Sequence, residues 1–248
     1  MKNEILNELK GKGVFVNNYL LNDLEKKNLI NDFSKIEKNK IIKFNENSDI
    51  KNISSTLYNF LQRDYIYNSI YEYLGSEIKY SSVIFTKLKP EIKKKDSENI
   101  SAGSTLAFHN DDSGKQIKIN ILLTDLEKGS NGLEYAISSN KISLTDKLII
   151  NFFNIFGRFK GWDKHFINYH MNKIKGRNVN FMSESKVKKK FKILKVFGKS
   201  GLVYIFDTNG FHRQSSVAPS ENLDLERDLI TIYLDSQKKN KTTKKEHN

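Results

Sequence analysis

The sequence predicts an α+β fold, in which helices precede and flank a double-stranded β-helix, the jelly-roll or cupin-like arrangement of strands. Two observations support this. Apolar residues recur at helical spacing before Gly75, and short alternating or apolar runs separated by turn residues follow it. Helices followed by a series of strands favour this class over a βαβ fold. No Gly-rich phosphate loop follows a strand, so a Rossmann or Walker fold has no support.

The length and composition are those of one globular domain. A chain of 248 residues with 38% hydrophobic residues can bury one large core. We expect a single domain over 1–236, with an insertion or lid over about 143–195, and a polar, disordered tail over 237–248. The absence of cysteine excludes disulfides and thiolate chemistry. No apolar run is long enough for a bilayer and the N-terminus has no secretory signal core, so we expect a cytoplasmic protein without a membrane partner.

The positive charge has two explanations. Lys and Arg number 42 against 29 Asp and Glu, a formal net charge of +13, as in many nucleic-acid-binding proteins. However, Lys greatly outnumbers Arg, and Lys, Asn and Ile are abundant together, as AT-rich coding sequence produces whatever the function. The densest basic run, 186–199, also suits the solvated face of a strand or sheet edge. A nucleic-acid partner is therefore not favoured.

Periodicity and turn residues place the individual elements. Asn22 or Asp23 is a suitable N-cap for the first strongly periodic helix, and Gly75 ends the second helical pattern. The predicted helical segments are about 20–33, 53–75 and 144–159. The predicted strands are 13–18, 78–90, 116–126, 133–138, 201–207 and 228–234.

One histidine lies beside two aspartates just before a predicted strand. His109 and Asp111 are two residues apart, and on an extended segment such residues point to the same side. His212 directly follows the apolar strand 201–207 and is the candidate for a third ligand. Two imidazoles and one carboxylate make the facial triad of non-haem Fe(II) oxygenases, which leaves metal positions open for other ligands.

An acidic cosubstrate would need a basic anchor inside the barrel, and a guanidinium holds a carboxylate with two parallel hydrogen bonds. Arg227 opens the last predicted strand, where alternation places it on one face with Leu229 and Thr231. Arg213 is nearer in sequence to His212. As the immediate neighbour of His212 it should point to the opposite side, so we prefer Arg227.

Four stretches together resemble the phytanoyl-CoA dioxygenase family of Fe(II)/2-oxoglutarate oxygenases. The ordered set reaches from about residue 13 to residue 234 and is more specific than any of its members. Asn140 stands where the family commonly has a histidine in Gly-Ser-His-Lys, and the segment 143–195 is only weakly covered. The stretches are GVFVNNYLLNDLEKKNLINDF, HND, ILLTDLEKGSNGLEYAISSNK and GLVYIFDTNGFHRQ with the arginine that follows.

The resemblance implies that His109, Asp111 and His212 bind Fe(II) and that Arg227 binds the distal carboxylate of 2-oxoglutarate. The separation of His212 and Arg227, 227 − 212 = 15 residues, is longer than expected for the family. Lys87 and Ser215 are further candidate contacts to 2-oxoglutarate. The implied reaction uses O₂ and hydroxylates a small molecule with release of succinate and CO₂.

Several alternatives stay open. Related halogenases lack the carboxylate, so Asp111 favours hydroxylation. A cupin-type metalloenzyme that does not use 2-oxoglutarate would keep the triad without needing Arg227, and a basic polyanion-binding module would need neither. Asp207 could orient a metal ligand or simply end a strand. The many lysines could attract an anionic substrate, although codon bias explains them as well. The sequence does not predict the substrate or the oligomeric state.

Overall fold

Two antiparallel sheets form the centre of the structure. It is a computed structural model that describes residues 1–88, 108–111, 116–127, 132–141, 180–182, 184–215 and 226–236. The strands are β1 (Val14–Asn17), β2 (Ile41–Lys43), β3 (Ile78–Leu88), β4 (Phe108–Asn110), β5 (Gln116–Leu122), β6 (Leu133–Ala136), β7 (Asn180–Met182), β8 (Ile193–Lys195), β9 (Val203–Asp207), β10 (His212–Gln214) and β11 (Arg227–Ser236). The helices are α1 (Lys2–Lys12), α2 (Asp23–Ser34), α3 (Asp49–Ile53), α4 (Ser55–Leu61), α5 (Asp64–Leu74) and α6 (Glu184–Lys190).

The strand order confirms the predicted double-stranded β-helix. The larger sheet has the order β1-β9-β5-β11-β3-β2 and the smaller one β7-β4-β10-β6-β8. From β3 to β6, successive strands alternate between the two sheets. They alternate again from β8 to β11. Such crossing, with antiparallel pairing throughout, is the jelly-roll arrangement, and it places strand ends from both sheets at the mouth of one barrel.

Alternation along the strands of the larger sheet separates two apolar layers. One face carries Ile119, Ile205 and Ile230, which are fully buried in a cluster with the apolar side chains of the helices. The opposite face carries Tyr204 and Leu229, which pack inside the barrel in a second cluster. Because the side-chain period of a strand is two, each strand supplies both layers. The helices therefore cover the outside of this sheet, and the interior remains lined by alternate residues.

The helices follow their end signals closely. Asn22 caps α2 in a capping box with Glu25, in which each side chain accepts a backbone N–H from the other residue. Gly75 ends α5 in the left-handed region at φ 69°. The helical pattern predicted over 53–75 is divided, because Arg63 is extended between α4 and α5 and its guanidinium binds the Leu20 carbonyl.

The C-terminal part of the segment predicted as an insertion contributes two strands and one helix to the described structure. Residues 180–182 pair with β4, α6 follows, and Ile193–Lys195 pairs with β6 as an edge strand of the smaller sheet. The basic run from 186 is thus part helix and part edge strand. The predicted helix at 144–159 and tail at 237–248 lie outside the described residues. Among the helices that are described, none combines the length and apolarity required to cross a membrane.

Candidate metal centre in the barrel

Three potential metal ligands meet where two strands of the smaller sheet pair. His109 lies on β4 directly opposite His212 on β10, and Asp111 follows β4 immediately. Each histidine Nε2 lies 3.7 Å from an oxygen of the Asp111 carboxylate, Oδ1 for His109 and Oδ2 for His212. One ligand atom from each residue lies within 4.8 Å of the other two. The sequence-predicted triad is therefore brought together as one cluster.

The state of the His212 ring suits metal binding. Its Nδ1 lies 2.9 Å from the Gly210 carbonyl oxygen, which can only accept a hydrogen bond, so Nδ1 carries the proton. The other nitrogen, Nε2, is then a lone-pair donor on the side of Asp111. Burial lowers the pKa of His212 to about 3 despite the nearby carboxylate, so the imidazole is neutral at physiological pH. The edge of the Phe206 ring packs against it, with ring centroids 5.0 Å apart.

Asp111 is held as a carboxylate by its surroundings. Its backbone N–H donates to the Thr208 carbonyl at 3.0 Å, which fixes the residue against the turn after β9. Burial by itself would raise the pKa of Asp111, but nearby positive charge, including that of the Lys118 ammonium, outweighs this effect, and the pKa lies below its ordinary value. The Lys118 Nζ is 2.6 Å from Oδ2. A negative oxygen ligand is therefore present over the physiological pH range.

The turn that carries these backbone contacts is anchored by Asp207. Its Oδ1 accepts the backbone N–H of Asn209 at 2.9 Å, and its Oδ2 accepts the Tyr73 hydroxyl at 2.5 Å and the Asn140 amide at 3.2 Å. Burial and the Asp207 charge raise the pKa of Tyr73, so its hydroxyl stays protonated and donates. The Asp207 side chain thus supports the turn that positions His212, and Asn140 takes part in the same network.

Gly210 is required by the same turn. A Cβ built at this position would lie 1.9 Å from the hydroxyl oxygen of Tyr135. That hydroxyl is buried and donates to the Asp207 carbonyl at 3.0 Å, so it has little freedom to move. The close approach of backbone and ring explains why the position holds glycine.

Arg227 lies inside the barrel, as the alternation of β11 predicted. It is 5% exposed and lies on the face of β11 that also carries Leu229 and Thr231. Burial lowers the pKa of Arg227, whereas the neighbouring Tyr204 raises it, and a guanidinium remains charged in either case. A charged guanidinium at this depth is suited to an anionic ligand that enters the barrel.

The other sequence-predicted residues have different surroundings. Arg213 points away from His212, as expected, and its guanidinium binds Glu134 at 2.7 Å on the outer face of the smaller sheet. Lys87 has a side chain 48% exposed and an Nζ 2.6 Å from a carboxylate oxygen of Glu226, so it is not brought to the triad. Ser215 is buried just after β10, where its backbone N–H donates to the Gly132 carbonyl at 2.7 Å.

Sequence reasoning missed Lys118. On β5 it faces the barrel together with Asn120, whose side-chain oxygen accepts the Thr231 hydroxyl at 2.6 Å. The signal was available, because strict alternation in the run QIKINIL places both residues on one side. A lysine on the inward side of an apolar strand is unusual enough to indicate a binding role.

The donor set fits a divalent metal ion with open positions. It offers two imidazole nitrogens and one carboxylate oxygen, the combination found in mononuclear non-haem iron sites. The 3.7 Å separations are too long for direct hydrogen bonds between the ligands. The tautomer of His212 also leaves the correct nitrogen available. These residues could therefore hold a metal ion on one side and leave its other side accessible from the barrel.

Known proteins resemble this chain in fold and much less in sequence. No protein-family model matches the sequence, and no curated protein sequence matches it. EctD from S. alaskensis in its apoform has a TM-score of 0.57 at 11% identity, over 93% of this chain and 75% of that one. HygX from Streptomyces hygroscopicus with nickel and 2-oxoglutarate bound has a TM-score of 0.56 at 11% identity, over 96% and 88%. SnoN, the non-heme alpha ketoglutarate dependent epimerase from nogalamycin biosynthesis, has a TM-score of 0.52 at 10% identity, over 95% and 82%. At such identities the similarity shows the fold alone.

Proposed function

We propose that the protein is an Fe(II)/2-oxoglutarate-dependent oxygenase that hydroxylates a small molecule. One observation carries the proposal: a His-Asp-His cluster at the mouth of the barrel occurs together with an arginine buried in the same barrel. His109, Asp111 and His212 would hold Fe(II), and Arg227 would bind the distal carboxylate of 2-oxoglutarate. Two structural neighbours support the assignment, since HygX has a structure with nickel and 2-oxoglutarate bound and SnoN has one in complex with Fe3+ and alpha ketoglutarate.

Each residue has a defined part in this function. Iron held by these residues would supply, with 2-oxoglutarate and O₂, the oxidising chemistry, with succinate and CO₂ as the products of the cosubstrate. The neutral imidazole of His212 donates through Nε2, because the Gly210 carbonyl holds its other nitrogen protonated. Asp111 supplies the negative ligand. Arg227 orients the cosubstrate from inside the barrel, and the apolar walls around Leu229 exclude water from the reacting groups.

The same proposal extends to the reaction outcome and the subfamily. A complete triad with Asp111 favours transfer of a hydroxyl group over halogenation, for which the carboxylate position would have to be vacant. The motif order from His109 to Arg227 supports a place near the phytanoyl-CoA dioxygenase family. SnoN is an epimerase, so hydroxylation is the part of the proposal that product analysis must test directly.

Anaerobic titration of the metal-free protein with Fe(II) and then 2-oxoglutarate tests the function. We expect the weak visible charge-transfer band of a chelated 2-oxoglutarate. His109→Ala should abolish the band. Arg227→Met should weaken the binding of 2-oxoglutarate at least about tenfold, since a hydrogen-bonded charge pair is lost. Lys87→Met is the matched control, because it removes an exposed basic residue on the neighbouring strand and should leave the titration unchanged.

Two results would contradict the proposal in different ways. Iron binding without a 2-oxoglutarate band would indicate a cupin-type metalloenzyme that does not use this cosubstrate. Failure of the wild-type protein to bind iron would show that the cluster of His109, Asp111 and His212 is only a polar contact between strands. Loss of the band in Lys87→Met would place the cosubstrate against β3 and away from Arg227.

A further inference from the structure

Lys118 places a positive charge directly beside the proposed metal centre. Its Nζ lies 2.6 Å from Asp111 Oδ2 and 4.8 Å from the centroid of the Tyr233 ring. The Phe206 ring lies on another side, with its centroid 6.0 Å from the same atom. The side chain is 14% exposed, so this ammonium is enclosed by the barrel wall and still reachable from its mouth.

The two basic residues of the barrel interior lie at different depths. Lys118 is opposite Tyr233 on β11, whereas Arg227 is six residues earlier on that strand. At about 3.3 Å per residue, the two backbone positions are roughly 20 Å apart. A cosubstrate that reaches from the metal to Arg227 therefore extends away from Lys118. The ammonium therefore lies on the other side of the proposed metal site from Arg227.

Binding of a metal ion would change the balance of charges around Asp111 and Lys118. Without an ion, Asp111 and Lys118 compensate each other. A divalent ion held by Asp111 adds two positive charges beside the ammonium, in an interior where charges interact strongly. Among the described residues, the other acidic side chain on this face is Asp235 at the rim of the barrel, and its Oδ1 accepts a hydrogen bond from Gln116 at 2.6 Å.

We propose that Lys118 is a substrate-binding residue and that the substrate carries a carboxylate or phosphate group, which binds the ammonium beside the metal. The proposal rests on the function proposed above and deepens it by assigning the class of substrate. When a metal ion takes up the Asp111 carboxylate, the ammonium gains by pairing with a second anion, and the aromatic rings of Tyr233 and Phe206 hold it in place. A neutral substrate would leave the ammonium sharing the Asp111 carboxylate with the metal ion.

The test uses small anions as probes on the protein loaded with Fe(II) and saturating 2-oxoglutarate under anaerobic conditions. Acetate and methyl phosphate are titrated in turn while the charge-transfer band is recorded. In the wild-type protein we expect at least one of them to shift the band saturably without abolishing it. In Lys118→Met the apparent dissociation constant of that anion should rise about tenfold or more. Lys43→Met, which removes an exposed lysine of β2 in the same sheet, should behave as the wild type.

The outcomes separate the two proposals. If no band forms with Fe(II) and 2-oxoglutarate, the proposed function fails. If the band forms and neither anion shifts it, or both shift it equally in Lys118→Met, the function stands and the anionic substrate is refuted. If Lys118→Met instead weakens 2-oxoglutarate itself, the lysine binds the cosubstrate, which also overturns the substrate-binding role.

Discussion

The buried neutral state of His212 predicts a specific pH dependence of stability. Its pKa is about 3 in the folded protein and returns to its ordinary value of 6.5 on unfolding. Between these two values the unfolded chain binds one more proton than the folded protein. The free energy of unfolding therefore rises with pH across this window, and stability is lost as the pH falls below about 6.5.

The size of the effect follows from the same shift. At pH 5 the unfolded histidine lies about 1.5 pH units below its pKa, while folded His212 remains unprotonated. One pKa unit corresponds to about 1.4 kcal/mol, so the metal-free protein should lose about 2 kcal/mol of stability between pH 7 and pH 5 through this residue. Asp111 acts in the same direction, but only near and below its ordinary value of 3.8, so this pH interval isolates the histidine.

Urea unfolding in the presence of a chelator measures this loss. The wild-type protein and His212→Gln, which has no titrating group at this position, are compared at pH 7 and pH 5. The pH-dependent loss should be smaller in the variant by about 2 kcal/mol. Equal losses in the two proteins would show that His212 is protonated as easily when folded as when unfolded. The description of its ring as buried and neutral would then be wrong.

Substitutions at three further positions test the turn beside the site, an ion pair of the smaller sheet and the cap of α2. Gly210→Ala should destabilise the protein by about 2 kcal/mol and weaken metal binding, because its Cβ must displace the Tyr135 hydroxyl; unchanged melting and metal titration would contradict this. Arg213→Met should cost about 2 kcal/mol in urea unfolding, because the buried Glu134 carboxylate keeps only its ion pair with Lys195, and a loss below about 1 kcal/mol would show that the pair is dispensable. Asn22→Ala should cost about 1 kcal/mol through loss of the cap, whereas Asn22→Ser should retain most of the stability.

Much of the fold and the triad could be predicted because both depend on a period of two. His109 and Asp111 share one side of an extended segment whatever the rest of the chain does, and Arg227 has its orientation set by the apolar residues that follow it. The turn chemistry at Asn22 and Gly75 is equally local, and the structure places helix ends at both. Local signals of this kind need no knowledge of tertiary partners.

The features that were missed depend on tertiary partners. The first helix, Lys2–Lys12, has a low overall hydrophobicity, and only the packing of Ile5 and Leu9 against the rest of the core makes it stable. Alternation in QIKINIL indicates that Lys118 faces the barrel, but its position beside Asp111 depends on how the strands are brought together. The Asp207 network similarly joins segments that are far apart in sequence, so no spacing rule could indicate it.

The position of β11 links folding to function. It is the last described strand along the chain, yet it lies between β5 and β3 in the middle of the larger sheet. Until β11 is synthesised, β5 and β3 each have an edge that lacks its strand partner. Unpaired edges of this kind can pair with the wrong strand. Arg227 is the first residue of this strand. A chain that has not completed its barrel therefore also lacks Arg227, the residue proposed to bind 2-oxoglutarate, so barrel closure and the proposed cosubstrate site would be completed in the same step.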